Sequence, residues 1–175
     1  LKAYAGQHDL ELATFASLEA QVASLADDIA YHNHDVEDGL RAKFFTLDDL
    51  THLPLLGDII ARVRAEYPDV SAQRQSHEIL RRMISGMVAD LLATTRANLA
   101  ESGIQTADDI RALGRPLAMF SPEMSEANRV IKAYLFKHMY RHYKINRMTS
   151  KAARIVAELF RFFMAEPQCL PTMWF

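Results

Sequence analysis

From Ser71 to Ala100 the apolar residues Ile79, Leu80, Met83, Ile84, Met87, Val88, Leu91 and Leu92 recur at intervals of three and four. That is the period of a helix lying by one face on a core, and no segment of the chain alternates with the period of two that a half-buried strand needs. The chain is therefore expected to be all-α, an irregular helical bundle with two or more long helices. Its 175 residues, half of them hydrophobic, suffice for a true core.

Local signals divide the rest. Ser17 reads as an N-cap with Glu19 in the first turn, opening a helix that runs to about Phe45 with one glycine, Gly39, and no proline. Thr46 before Leu-Asp-Asp-Leu caps a short helix, and Pro54 to Glu66 makes another that Pro68 stops. Gly103 ends the second long helix, and Thr106-Ala-Asp-Asp caps a short one over Ile110 and Leu113. Ser121-Pro122-Glu123 starts a helix expected to reach about Tyr143. Thr149 or Ser150 is expected to cap the last helix, with Phe160, Phe162, Phe163 and Met164 read as core.

Charge is unevenly spread. Residues 1 to 60 hold eleven acids against Lys2, Arg41 and Lys43, whereas Arg129 to Arg154 contains eight Lys or Arg and no acid. The acidic half ends near Pro68, where a minor boundary is expected. The basic stretch, with Lys132, Lys137, Arg141 and Lys144, reads first as a solvated helix face and second as a surface for phosphates of a nucleotide or of single-stranded DNA.

The single cysteine, Cys169, leaves no disulfide framework; it fits a cytoplasmic setting and is expected to be a buried bystander. No apolar run is long enough to span a membrane, so no membrane partner is expected. A start at Leu1 and an end on Met173-Trp174-Phe175 suggest a piece of a longer protein.

No Gly-rich phosphate loop, CxxC pair, HExxH or Gly-x-Ser-x-Gly occurs. What remains is histidine and carboxylate. On the first long helix, at about 100° per residue, Tyr31 lies roughly 40° from Asp27, Asp38 roughly 20° and Asp35 roughly 80°, with His34 just to the other side. Leu18, Val22, Leu25, Ile29, Val36 and Leu40 gather opposite. Three acids on one stripe with no interleaved Lys or Arg repel one another and suit a cation, although a polar face opposite an apolar one is also what any surface helix carries. His8-Asp9 and the pair His138 and His142 are weaker metal candidates: the first is a bare dipeptide, and the second is surrounded by Lys137, Arg141 and Lys144.

The segments Leu25-Ala26-Asp27-Asp28-Ile29-Ala30-Tyr31, Asn33-His34-Asp35 and Asp38-Gly39-Leu40-Arg41-Ala42 resemble a block of the HD-domain deoxynucleoside triphosphate triphosphohydrolases, the dGTPase-like family. Arg81 to Asp90 and Phe120-Ser121-Pro122-Glu123-Met124 resemble that family's phosphohydrolase-associated region. The resemblance implies that residues 1–69 are the C-terminal part of an HD-type metal-dependent phosphohydrolase domain and 70–175 an associated helical domain. It implies a divalent ion such as Mg or Mn held by an upstream His, a His-Asp pair and a distant Asp. The last matches Asp27, or Asp28 if the register shifts by one.

Tyr31 then resembles the tyrosine beside the substrate triphosphate and sugar, and Asp35 the acid that holds the deoxyribose 3′-hydroxyl. The family also implies effector nucleotides and homo-oligomers, for which the surface with Phe160, Phe162, Phe163 and Met164 is an interface candidate, second to the core reading. His8-Asp9-Leu10-Glu11 lacks the family's Gly-His-Pro-Pro context, so the other ligands are expected outside this chain, which alone should be inactive. A second expectation, from a different class, is an all-α nucleic-acid or protein binding module without catalysis.

Overall fold

A computed structural model describes residues Lys2 to Trp174; Leu1 and Phe175, the terminal residues noted above, lie outside the described residues. The described residues contain helices and turns and no strand, as the periodicity requires. The chain forms two compact units, Leu1–Lys132 and Ala133–Phe175. The division at 69/70, a proposal about family domains, falls inside the first.

In the first unit a short helix α1 (Lys2–Ala5) precedes α2 (Leu18–Arg41), α3 (Leu56–Glu66), α4 (Ala72–Ser102) and α5 (Ala107–Ala112), and α6 (Pro122–Leu135) begins within it. Both α2 and α3 pack on α4. The pairing of α2 with α4 is antiparallel: Asn33 Nδ2 reaches Met87 Sδ at 3.7 Å, while at the other end Gln21 and Asn98 both bond the backbone of Leu117. Gln21 is a buried clamp. Its Oε1 accepts from the N–H groups of Leu117 (2.8 Å) and Ala118 (3.1 Å), and its Nε2 donates to the Ala16 carbonyl at 2.8 Å.

Caps set the helix ends. Ser17 Oγ accepts from Ala20 N–H at 3.4 Å, and Thr106 with Asp109 forms a reciprocal capping box. The Thr106 hydroxyl, with the Thr106 and Gln105 backbone N–H groups, holds the Asp109 carboxyl below its usual range. Thr46 and Asp49 exchange the same kind of bonds at the Asp48–Leu50 3₁₀ turn. Ser121 Oγ accepts from Met124 N–H at 3.1 Å and donates to Asp90 Oδ1 at 2.6 Å, which ties α6 to α4. Gly103 closes α4 with φ +67°, the left-handed conformation that glycine adopts freely.

The turn into α3 is tighter than its sequence suggests. Leu56 N–H bonds back to the Pro54 carbonyl at 2.8 Å, with Leu55 at φ 67° and ψ −57°, a strained γ-turn. Gly57 follows because any Cβ there would sit 2.2 Å from the Thr51 carbonyl oxygen.

In the second unit α6 does not continue to Tyr143. After Leu135 it widens into a π-helical stretch, Phe136–Tyr140, in which Arg141 N–H bonds to the Phe136 carbonyl at 3.1 Å. The last helix, α7 (Tyr143–Ala165), then starts at His142, whose Nδ1 accepts from Lys144 N–H. Thr149 and Ser150 are interior helical residues, so they are not the cap expected of them. The core expectation for the C-terminal aromatics also fails: Phe160 is 66% and Met164 69% exposed, and Phe162 is exposed as well. Cys169 is exposed rather than buried. No helix among the described residues is long and apolar enough to cross a membrane.

Candidate functional site

Helix α2 carries the site candidates, and burial divides its circumference. Ile29, His32, Asn33, Asp35, Val36 and Gly39 are buried, while Asp27, Tyr31, His34 and Asp38 form an exposed strip along the opposite side. The apolar stripe expected to pack does so only through Ile29 and Val36 at full burial; Leu18, Val22, Leu25 and Leu40 are half-buried. The buried arc is completed by polar side chains that the apolar pattern does not reveal.

Asp27 and Tyr31, one turn apart, lie on this exposed strip. Tyr31 is 56% exposed, its ring edge-on to His32 at 6.4 Å. Asp27 has no hydrogen bond or ion pair among the described residues, and neither does Asp28. Asp35 stands apart from the strip. At 8% exposed it belongs to the buried arc, which corrects the expectation that it shares the offered face. At roughly 80° from Asp27 it is the candidate nearest the packed side of the helix, and burial fixes its orientation.

The strip is not without a cation at its C-terminal end. Arg41 bonds Glu37 Oε1 at 2.8 Å and approaches Asp38 Oδ1 at 3.8 Å, so Asp38 is partly compensated, contrary to the expectation of an unpaired acidic stripe. The uncompensated negative charge is therefore concentrated at Asp27 and Asp28, near the helix middle. Among the described residues no three His, Cys, Asp or Glu side chains converge on a space that could hold a metal ion. A divalent cation requires several such donors. The described residues therefore do not make a metal centre by themselves, and Asp27 presents a single exposed carboxylate.

The weaker metal candidates serve local structure. Asp9 Oδ1 accepts from Glu11 N–H at 2.8 Å, and the His8 ring lies 4.8 Å from that of Tyr4. His138 stacks on Tyr134 at 4.2 Å, and His142 caps α7.

Beside the strip, Ala26, Ala30, Asn33 and Glu37 of α2 face Leu80, Ile84 and Val88 of α4 across a groove of about 240 Å³. Sequence reasoning missed the buried polar groups here and on the arc. Asn33 Nδ2 donates to the Ile29 carbonyl at 2.7 Å, while Asn33 Oδ1 and His32 Nδ1 are buried without a partner among the described residues. Their only signal in the sequence is position, polar residues at angles that the apolar stripe would otherwise claim.

Comparison with known proteins bears on the whole chain. A family model described as a phosphohydrolase-associated domain matches residues 118–175. The chain is 53% identical over 98% of its length to a deoxyguanosinetriphosphate triphosphohydrolase-like protein of Parvibaculum lavamentivorans. It is 50% identical over 98% of its length to one of Caulobacter vibrioides, and 44% identical over 99% to one of Mesorhizobium japonicum. It spans 43%, 44% and 43% of those relatives, less than half of each.

Proposed function

Because the chain belongs to the deoxyguanosinetriphosphate triphosphohydrolase-like family, we propose that it is part of a longer, cytoplasmic polypeptide that hydrolyses deoxynucleoside triphosphates to deoxynucleoside and triphosphate. Water adds to the α-phosphorus, the bond from phosphorus to the 5′-oxygen breaks, and that oxygen leaves with a proton as the nucleoside. A divalent ion such as Mg or Mn, when bound, supplies Lewis-acid polarisation and charge neutralisation at the phosphate.

The contributions of this chain are positional. Asp27 is one oxygen ligand toward that ion, the remaining ligands coming from outside residues 1–175. Tyr31, exposed one turn further on, lies against the triphosphate and sugar. Asp35, oriented by burial, accepts the 3′-hydroxyl. Holding the sugar and phosphate in one pose is a large part of what such residues contribute to rate.

The observation that carries this reading is the uncompensated Asp27 beside an exposed Tyr31, in a chain about half identical to triphosphohydrolase-like proteins. An unpaired acid at mid-helix gains nothing from its neighbours and is suited to a ligand. The basic residues Lys132, Lys137, Arg141 and Lys144 remain candidates for an effector nucleotide or single-stranded DNA, as phosphate contacts of modest specificity.

The test is a product assay on the full-length polypeptide with each of the four dNTPs and Mg or Mn. Intact triphosphate and nucleoside are expected in equal amounts, and none from the 175-residue chain alone. Release of pyrophosphate or single phosphates would reject the reaction. Binding of DNA without any hydrolysis by the full-length protein would favour a non-catalytic module.

A further inference from the structure

Among the described residues α2 is buried at two places, at Gln21 and again along a stretch that includes Ile29, Asn33, Asp35 and Val36. Asp27 lies between the two, six residues from Gln21 and six from Asn33, whereas Tyr31 and Asp35 lie inside the second. At about 100° per residue Gln21, Asn33 and Asp27 stand about 120° apart around the helix. The two anchors together therefore turn Asp27 away from the packed side.

The first anchor is a single polar side chain. Leu117 and Ala118 are 0% and 4% exposed and lie in a loop outside any helix, so their N–H groups need acceptors. Gln21 Oε1 takes both, at 2.8 and 3.1 Å, and its Nε2 returns to the Ala16 carbonyl at 2.8 Å. Asn98 of α4 holds the same loop by donating to the Leu117 carbonyl at 2.9 Å. An apolar side chain of similar length would fill the space of Gln21 but leave two donors and an acceptor buried without partners. All of these residues belong to the first unit, and the anchor is complete within it.

We propose that Gln21 is a positioning residue for Asp27. It ties the N-terminal half of α2 to the loop where the phosphohydrolase-associated region begins, at residue 118, and so sets where the Asp27 carboxylate stands. The inference rests on the reading of Asp27 as a ligand toward a divalent ion. Helix geometry makes the effect selective. With the buried stretch around Asn33 as pivot, a shift of about 1 Å at Gln21 moves Asp27 by about half as much and Tyr31 or Asp35 by about a sixth, in proportion to their distances along the helix. Misplacement by about 1 Å costs on the order of a hundredfold, so the loss at Asp27 is about tenfold and that at Tyr31 or Asp35 about twofold.

The experiment uses the full-length polypeptide and Mn²⁺ without nucleotide, following the free ion by electron paramagnetic resonance, with the KM for dGTP measured alongside. Gln21→Met is expected to raise the Mn²⁺ dissociation constant about tenfold and KM about twofold at most. Asn98→Ala, which keeps Gln21 but frees the loop from α4, is expected to raise the dissociation constant about threefold. Circular dichroism identifies the folded variants, and Asn98→Ala decides where Gln21→Met does not fold. A merely structural Gln21 would lower the folded fraction and leave the dissociation constant of the folded protein unchanged. That result overturns the proposal, as does a KM that rises as much as the dissociation constant. A parent protein that binds no Mn²⁺ overturns it together with the metal role of Asp27. A parent that binds Mn²⁺ but releases no triphosphate, with affinity lost in the variants as expected, supports the positioning role and rejects the hydrolase reading alone.

Discussion

Gly39 occupies the interior of α2, where alanine would ordinarily be favoured by about 1 kcal/mol. A Cβ there would fall 2.0 Å from Phe45 Cζ, and Phe45 is buried core. Overpacking of this kind costs about 1–3 kcal/mol, so the steric effect outweighs the propensity. With the propensity gain subtracted from the steric cost, Gly39→Ala is expected to destabilise the chain by about 1 kcal/mol in urea unfolding; a stabilised variant would contradict this contact. Phe45→Leu should reduce the penalty, since the two sites share one space. Nothing local in Asp38-Gly39-Leu40 announces this role, because the residue that demands the glycine lies beyond the helix end and returns through Lys43 at φ 56°. Asp27 and Tyr31 were legible at this scale, since helical period alone places them on the exposed strip. Asp35 was not: at the border between packed and open sides, the neighbouring elements decide whether a side chain is covered.

At the scale of elements, the helix ends that carry their own chemistry were readable. Ser17, Thr106 and Ser121 cap as their side chains require. The break between α6 and α7 was not, because a π-helical stretch uses neither proline nor glycine and His142 caps with a ring nitrogen. The amphipathic pattern of α7 was also legible, yet a pattern names a face and not what covers it, which is why its phenylalanines were assigned to a core they do not enter.

The α3–α4 pair holds a pH-sensitive contact. Arg82 bonds both Glu66 and Glu78, and Arg81 bonds Glu78. The Arg81 and Arg82 guanidinium groups pull the Glu78 carboxyl from 4.5 down to about 2, and Arg82 pulls Glu66 down in the same direction. A depressed folded-state value means that the stabilisation is present above about pH 4.5 and is lost as pH falls toward 2. Melting temperature should therefore decline across that window, and Glu78→Gln should flatten the decline. An equal slope in the two proteins would show that the pairs contribute nothing.

At the scale of the whole molecule, the all-α class followed from periodicity alone, and the family from the block around Asp27 together with that around Asp90. The division into two compact units between Lys132 and Ala133 was not foreseen: the acid-free basic stretch begins nearby at Arg129, but the boundary falls inside α6, where no proline or glycine marks a break. The chain spans less than half of the relatives it matches, and its described residues bring no three metal donors together. In the proposed function catalysis belongs to a longer polypeptide, and the Asp27 strip is the proposed contribution of this chain. Activity of the full-length polypeptide bearing Asp27→Asn, measured as triphosphate released from dNTPs with Mg or Mn, tests that claim most directly. Loss of a metal ligand is expected to lower turnover by about a thousandfold or more at an unchanged melting temperature. Turnover equal to that of the unsubstituted protein would contradict the account.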